Sequence, residues 1–360
     1  MNLTSNVPSD LPAYATQGIF AGWNRFWFRP VSPLGLHVIR LLTGLLVVGW
    51  LLGYATTYHE LLGTDGWLDA DAYQAATRLP EDANVPTNWG HSIIPSSPML
   101  LGVMYLGSLI VAILFTVGVA TRITAPLVWL VVVAFTSNPI LYYGGDAFLI
   151  VLTLYLAVGY ILLDLFKNDG IGSLILGSSS APIWRWKSAS ANLAAPTSVL
   201  ANLILKLIQI HVAVIVFMSV LHKFQDPEWW AGDALWYHLY QPFTTDVKGL
   251  LSRQGQMNGM LLFLSIATYA TLFWQLTYPI QPITRTGRWI MLIGSLIGWG
   301  WCALIAGQPI YGPGIFIGSL AALPANHWPI WILRDKTVSS TLQSNRDESP
   351  ASLANSASAG

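Results

Sequence analysis

The sequence predicts an all-α protein, a polytopic transmembrane helical bundle of about eight spans. Three observations carry that expectation. Only 9% of the 360 residues are charged and 54% are hydrophobic, whereas soluble domains carry roughly a quarter charged residues. Apolar runs recur along the chain at close to the ~20 residues that a bilayer-crossing helix needs. Lysines and arginines gather in alternate connecting segments, as the positive-inside rule describes.

Taken in order, residues 1–33 are expected as an N-terminal cytoplasmic segment. Within it, "QGIFAGWNRFWFR" sets Ile19, Phe20, Trp23, Phe26 and Trp27 mostly on one helical face beside Arg25 and Arg29, the pattern of a helix lying in the membrane interface. The N-terminus lacks the charged-then-apolar pattern of a cleaved signal peptide, so the first apolar run is expected to stay in the protein. The bundle itself is expected over 34–325, with spans near 34–55, 99–120, 123–143, 147–166, 203–222, 259–280 and 289–307. A shorter, weaker run follows at 310–325, where "YGPGIF" places Pro313 and two glycines. Residues 326–360, rich in Ser and Ala, read as a disordered cytoplasmic tail.

With the N-terminus inside, Arg25, Arg29, Arg122, Lys167, Arg185, Lys187, Arg285, Arg288, Arg334, Lys336 and Arg346 fall on the inner side. The outer side holds Arg78, Lys223, Lys248 and Arg253, while Arg40 and Lys206 lie inside spans. The imbalance predicts a multi-pass protein of the cytoplasmic membrane with both termini inside. Two substantial loops, 56–98 and 223–258, then lie outside, and 168–200 reads as a flexible inner linker with one aromatic-basic patch.

Composition also excludes some classes. Seventeen basic residues balance seventeen acidic ones, so no net charge argues for nucleic acid. A single cysteine, Cys302, excludes an internal disulfide and a cysteine-rich metal site. His59, His91 and His238 lack close ligand spacing, so no metal is expected. HExxH, GxSxG, P-loop and GxGxxG patterns are all missing.

Ionisable groups inside a membrane are costly and face the bundle interior by default. His37 and Arg40 share one helical face with Thr43 and Gly44, and a structural role is expected for both. Asn138-Pro139 interrupts the third span. Tyr142, Tyr143 and Asp146 then surround the Gly144-Gly145 turn, with Asp146 placed to cap the next helix. In the fifth span Gln209, Val212, Val216, Ser219 and Lys223 line up at helical spacing. Lys223 ends that span just before Trp229, Trp230, Trp236 and Tyr237. One reading is an interfacial lysine that snorkels to water amid an aromatic belt. The other is a buried base, which an outer lysine running against the positive-inside bias favours.

The stretch "SNPILYYGGDAFLIVLTLYL", followed by "IQIHVAVIVFMSVLHKFQDPEWWAGDALWYHL", resembles the HTTM domain, the membrane domain of vitamin K-dependent γ-carboxylase and its bacterial relatives. The similarity covers roughly 30–325. Its most specific element is a helix ending in hydrophobic-x-Lys-hydrophobic, then a short polar link, Trp and a glycine. Leu221, Lys223, Phe224, Trp229 or Trp230, and Gly232 match it, and Arg40 matches an arginine of the first span.

The resemblance implies that Lys223 is the base that deprotonates a reduced quinone of the vitamin K type. Reaction with oxygen then yields a stronger base, which removes a γ-proton from peptidyl glutamate before carbon dioxide adds. An ordinary amine, with pKa ~10.4, is protonated at neutral pH, so such a lysine needs surroundings that destabilise its ammonium. Asn138, Tyr142, Asp146, Gln209, Trp229 and Trp230 are then the expected quinol-binding residues. Membrane lipids, a small-molecule quinol and a protein or peptide on the outer side are the expected partners. Three positions depart from the pattern. Pro139 stands where the carboxylase has a histidine, Gln275 stands where many members carry Glu, and 289–307 contains no histidine. A non-catalytic quinone- or lipid-binding protein on the same scaffold is the competing reading. Transport ranks last, since only Asn138-Pro139 suggests a broken helix.

Overall fold

The computed structural model describes residues 19–63, 66–67, 93–138, 146–165, 197–239, 247–304 and 307–323; for 19, 146, 164, 165, 238 and 247–258 it describes the backbone alone. Among these residues the fold is all-helical, with one isolated bridge pairing Val31 and Ser198. The expected tail, the inner linker, most of the 56–98 loop, and Tyr142 and Tyr143 lie outside the described residues.

The helices are α1 (Ile19–Phe28), α2 (Leu34–Gly53), α3 (Tyr58–Leu62), α4 (Pro98–Val117), α5 (Thr121–Thr136), α6 (Asp146–Leu165), α7 (Val199–Lys223), α8 (Pro227–Ala231), α9 (Ala234–Leu239), α10 (Val247–Thr277), α11 (Arg285–Leu304) and α12 (Tyr311–Ser319). Short 3-10 turns follow α10 at Gln281–Ile283 and α12 at Leu320–Ala322. Helices thus stand at each of the apolar runs. Among the described residues, four segments are long and apolar enough to cross a membrane: Leu34–Gly53, Pro98–Val117, Val199–Lys223 and Gly259–Thr277.

Local chemistry sets the boundaries. Pro98 opens α4 at a position where its missing N–H costs nothing, and the helix stops at Gly118, whose φ of 91° only glycine adopts freely. The N–H groups of Gly118 and Val119 both return to the Leu114 carbonyl. α5 ends at Thr136, short of Pro139, which biases the chain ahead of it away from helix. Ser198 caps α7 by accepting from the Ala201 N–H at 3.3 Å.

The main core is an apolar cluster drawn mostly from α2, α4, α5, α6, α7, α11 and α12, including Leu36, Val47, Phe115, Val132, Leu152 and Ile208. Outside it, Phe263, Phe273, Ile297 and Leu304 are exposed. Exposed apolar surface on this scale suits helices packed in lipid, whose tails are as apolar as leucine. Gly44 lets α2 approach α4 closely, because any Cβ there would collide with Thr116.

Deep in this packing sits Arg40, with 0% of its surface exposed. Its guanidinium lies over the Tyr160 ring, 5.6 Å from the centroid, and against the backbone at Gly118. His37 stacks on the same tyrosine and joins its hydroxyl at 2.7 Å. His37, Arg40, Tyr160 and Gly118 therefore lock α2, α4 and α6 together. Gly159, beside Tyr160, packs on Ile204 near the start of α7, so this lock lies toward the end of α7 opposite Lys223. Replacing Gly118 with Ala is expected to destabilise the fold by ~1–3 kcal/mol, because the methyl demands both a strained backbone and the space of the guanidinium. Gly49→Ala, where a Cβ would meet nothing within 4 Å, serves as the control. Thermal unfolding of both in the same detergent checks the contrast.

Candidate functional site

The site is built where the end of α7 meets the last turns of α10. Simple up-and-down packing would put the last residues of α7 beside the first residues of α10. Instead Lys223, the last residue of α7, donates from Nζ to Oε1 of Gln275, two residues before the end of α10, at 2.6 Å. The buried face of α7 runs through Ile208, Val212, Val216 and Val220, which carries Lys223 to the edge of the core. Gln275 is itself 2% exposed, so the acceptor is held inside the protein while the lysine reaches to it.

Behind the amine lies Trp229, with Nζ 4.7 Å from its ring centroid. The α8 turn places this tryptophan. Pro227 starts it, Gly232 with φ of 82° ends it, and Trp229 packs with Val220, Ala234 and Leu272 in a small second core. Trp230 points the other way. It is 60% exposed, stacks on Phe224 and donates its indole N–H to the Phe224 carbonyl at 2.7 Å. Of the two tryptophans that the sequence left as alternatives, Trp229 is the one against the lysine.

An open cleft of about 470 Å³ runs along this edge, lined by Val214, Met218, Ser219, Lys223, Asp226 and Tyr311 among others. That size falls in the range of small-molecule sites. Val214, Ile215, Met218 and Tyr311 form its apolar side and Ser219, His222, Lys223 and Asp226 its polar side, while Trp229 lies behind the amine. Lys223 forms no ion pair among the described residues; its hydrogen-bond partner is a neutral amide. An amide oxygen accepts from an amine and an ammonium alike. Among the described residues no three His, Cys, Asp or Glu side chains cluster within reach of one metal ion.

Other expected site residues stand elsewhere. Asn138 is buried and donates from Nδ2 to the Leu61 carbonyl at 2.7 Å, tying the end of α5 to α3. Gln209 accepts from Lys206 at 2.8 Å, and lies ~21 Å along α7 from Lys223. Asp146 starts α6, and its side chain lies outside the described residues. Tyr311 and Gln275 went unread in the sequence as neighbours of the Lys223 amine and its cleft. Both sit in apolar runs, and no spacing rule links them to a lysine so far away in the chain.

No family model, no curated protein and no solved structure matches the chain. Removing the Asn138 side chain leaves the Leu61 carbonyl without this donor. Asn138→Ala is therefore expected to cost ~1–3 kcal/mol of stability. Thermal unfolding of the variant beside the unsubstituted chain checks it.

Proposed function

We propose that this chain is a multi-pass HTTM-type membrane protein that binds a reduced quinone in the Lys223 cleft and uses Lys223 as a general base. The topology that goes with this reading has about eight spans, both termini on the cytoplasmic side and the cleft toward the outer side. The observation that carries it is the lysine amine held at 2.6 Å on a neutral buried glutamine and backed by Trp229, with no ion pair to it among the described residues.

A reduced quinone, when bound, supplies an acidic hydroxyl and the electrons that molecular oxygen accepts. The chain's own groups do the rest. Lys223 takes the proton at Nζ, Gln275 aims the amine, and Trp229 excludes water from the far side. The aliphatic wall of Val214 and Met218 accommodates an apolar ring and tail. Base catalysis of this kind contributes typically 10²–10⁴-fold, so the predicted loss on removing the amine is large.

The competing reading is a quinone- or lipid-binding protein without turnover. Gln275 and Pro139 favour it, because both stand where the γ-carboxylase pattern carries ionisable side chains. Quinol-dependent oxygen uptake by the purified chain separates the two. Under the base reading Lys223→Ala and Lys223→Arg each lose at least ~100-fold, since arginine does not deprotonate in this range. Lys223→Ala is expected to keep the fold. Wild-type-like turnover by Lys223→Arg would sink the base. Saturable quinol binding with no oxygen uptake by the wild-type chain would leave the binding protein instead.

In the same assay Gln275→Glu is expected to lower turnover with little change in quinol binding. The added carboxylate forms an ion pair that holds the amine protonated. Unchanged turnover in this variant would mean that the Lys223–Gln275 contact has no part in proton transfer.

A further inference from the structure

Several hydroxyls in the long helices are absorbed locally. Ser108, Thr136, Thr153 and Thr268 each return theirs to a carbonyl one turn back. Two hydroxyl-bearing residues of the Lys223 cleft do not follow this pattern. Ser219 of α7 and Tyr311 of α12 make no hydrogen bond through their hydroxyls among the described residues, and both line the open space of about 470 Å³.

Helix packing brings the two to one level. α12 lies along α7 where Gly318 meets Val212, since any Cβ on that glycine would collide with the valine side chain. Beyond Val212 the cleft runs past Val214 and Met218 to Lys223, and Tyr311, which precedes Gly318 on α12, lines it. The two helices are therefore antiparallel here. Tyr311 stands ~10 Å along α12 from the Gly318 contact, and Ser219 stands ~10 Å along α7 from Val212. Lys223 follows one turn later, ~6 Å farther along the axis. Tyr311 is also fixed from behind. Gly312 lets the start of α12 press on the Trp299 carbonyl, and the Tyr311 ring stands edge-on to the buried Trp299 indole, 5.5 Å between centroids.

We propose that Ser219 and Tyr311 form a second hydrogen-bonding subsite in the cleft, which holds the ring oxygen of a quinol para to the one that meets Lys223. This rests on the quinol reading of the cleft and adds to it the residues that select a ring with two oxygens. One helical turn between the amine and the two hydroxyls suits a single ring carrying an oxygen at each edge. A hydroxyl both donates and accepts, so the pair serves the ligand as quinol and as quinone alike. A ring that lacks the second oxygen is disfavoured, because the two hydroxyls then lose water without gaining a partner.

The test measures binding of 1,4-naphthoquinol, and of 1-naphthol, which lacks the second hydroxyl, to the full-length chain by anaerobic calorimetry in one detergent. The unsubstituted chain is expected to prefer the quinol about tenfold. Ser219→Ala and Tyr311→Phe are each expected to weaken the quinol about three- to tenfold, the loss of one hydrogen bond, and to leave 1-naphthol within about twofold. Retained 1-naphthol binding shows that the variant cleft is intact, and thermal unfolding confirms the fold. Unchanged quinol affinity in both variants, with the unsubstituted chain binding it, would overturn the subsite and leave the quinol reading standing. Equal losses for the two ligands in folded variants would assign both side chains to packing and overturn the subsite as well. Failure of the unsubstituted chain to bind either ligand would overturn the quinol reading itself, and the subsite with it.

Discussion

The contact between Lys223 and Gln275 ties together the ends of two helices that consecutive packing would keep apart. Its consequences spread through one side of the molecule. With the end of α10 held against the end of α7, Trp274 packs onto Gly294 and stands edge-on to Trp299, which in turn meets Tyr311. Tyr278 reaches Ser319 at 2.6 Å, and Ser295 donates to the same hydroxyl at 3.3 Å. This chain of aromatic and hydroxyl contacts seats α11 and α12, and α12 supplies the Tyr311 wall of the cleft. The cleft wall is therefore continuous with the packing of α10, α11 and α12.

Elsewhere polar groups are largely absorbed locally. Thr116, Thr136, Thr153 and Thr268 each return a hydroxyl to a carbonyl one turn back, the arrangement that lets a hydroxyl sit in an apolar helix. Against that background the groups that reach between helices stand out. Arg40 and His37 meet on Tyr160, His211 joins Tyr155 at 3.2 Å, and Asn202 holds the end of α1. Most of them knit the bundle. Lys223 differs because it faces a cleft.

By itself the sequence determined the helical class and the position of each apolar helix, because twenty-residue apolar runs and their proline and glycine punctuation act locally. It marked Arg40 as an interior group and Lys223 as the residue to explain, since a charge in an apolar run is conspicuous wherever it points. It also placed Gln209 on the lysine's stripe, and there locality misled: helical spacing aligns residues on a face but does not say which of them share a neighbour. Gln209 turned to Lys206, three residues back, while the partner of Lys223 came from 52 residues away. Asn138 was read toward the site, and its amide donates to the Leu61 carbonyl of α3. Tertiary structure alone decided that Trp229 rather than Trp230 backs the amine, that Gln275 accepts from it, and that Tyr311 closes the wall. These choices depend on the stagger and crossing of α7, α10 and α12, which arise from close packing of side chains far apart in the chain, and no periodicity within one helix encodes that.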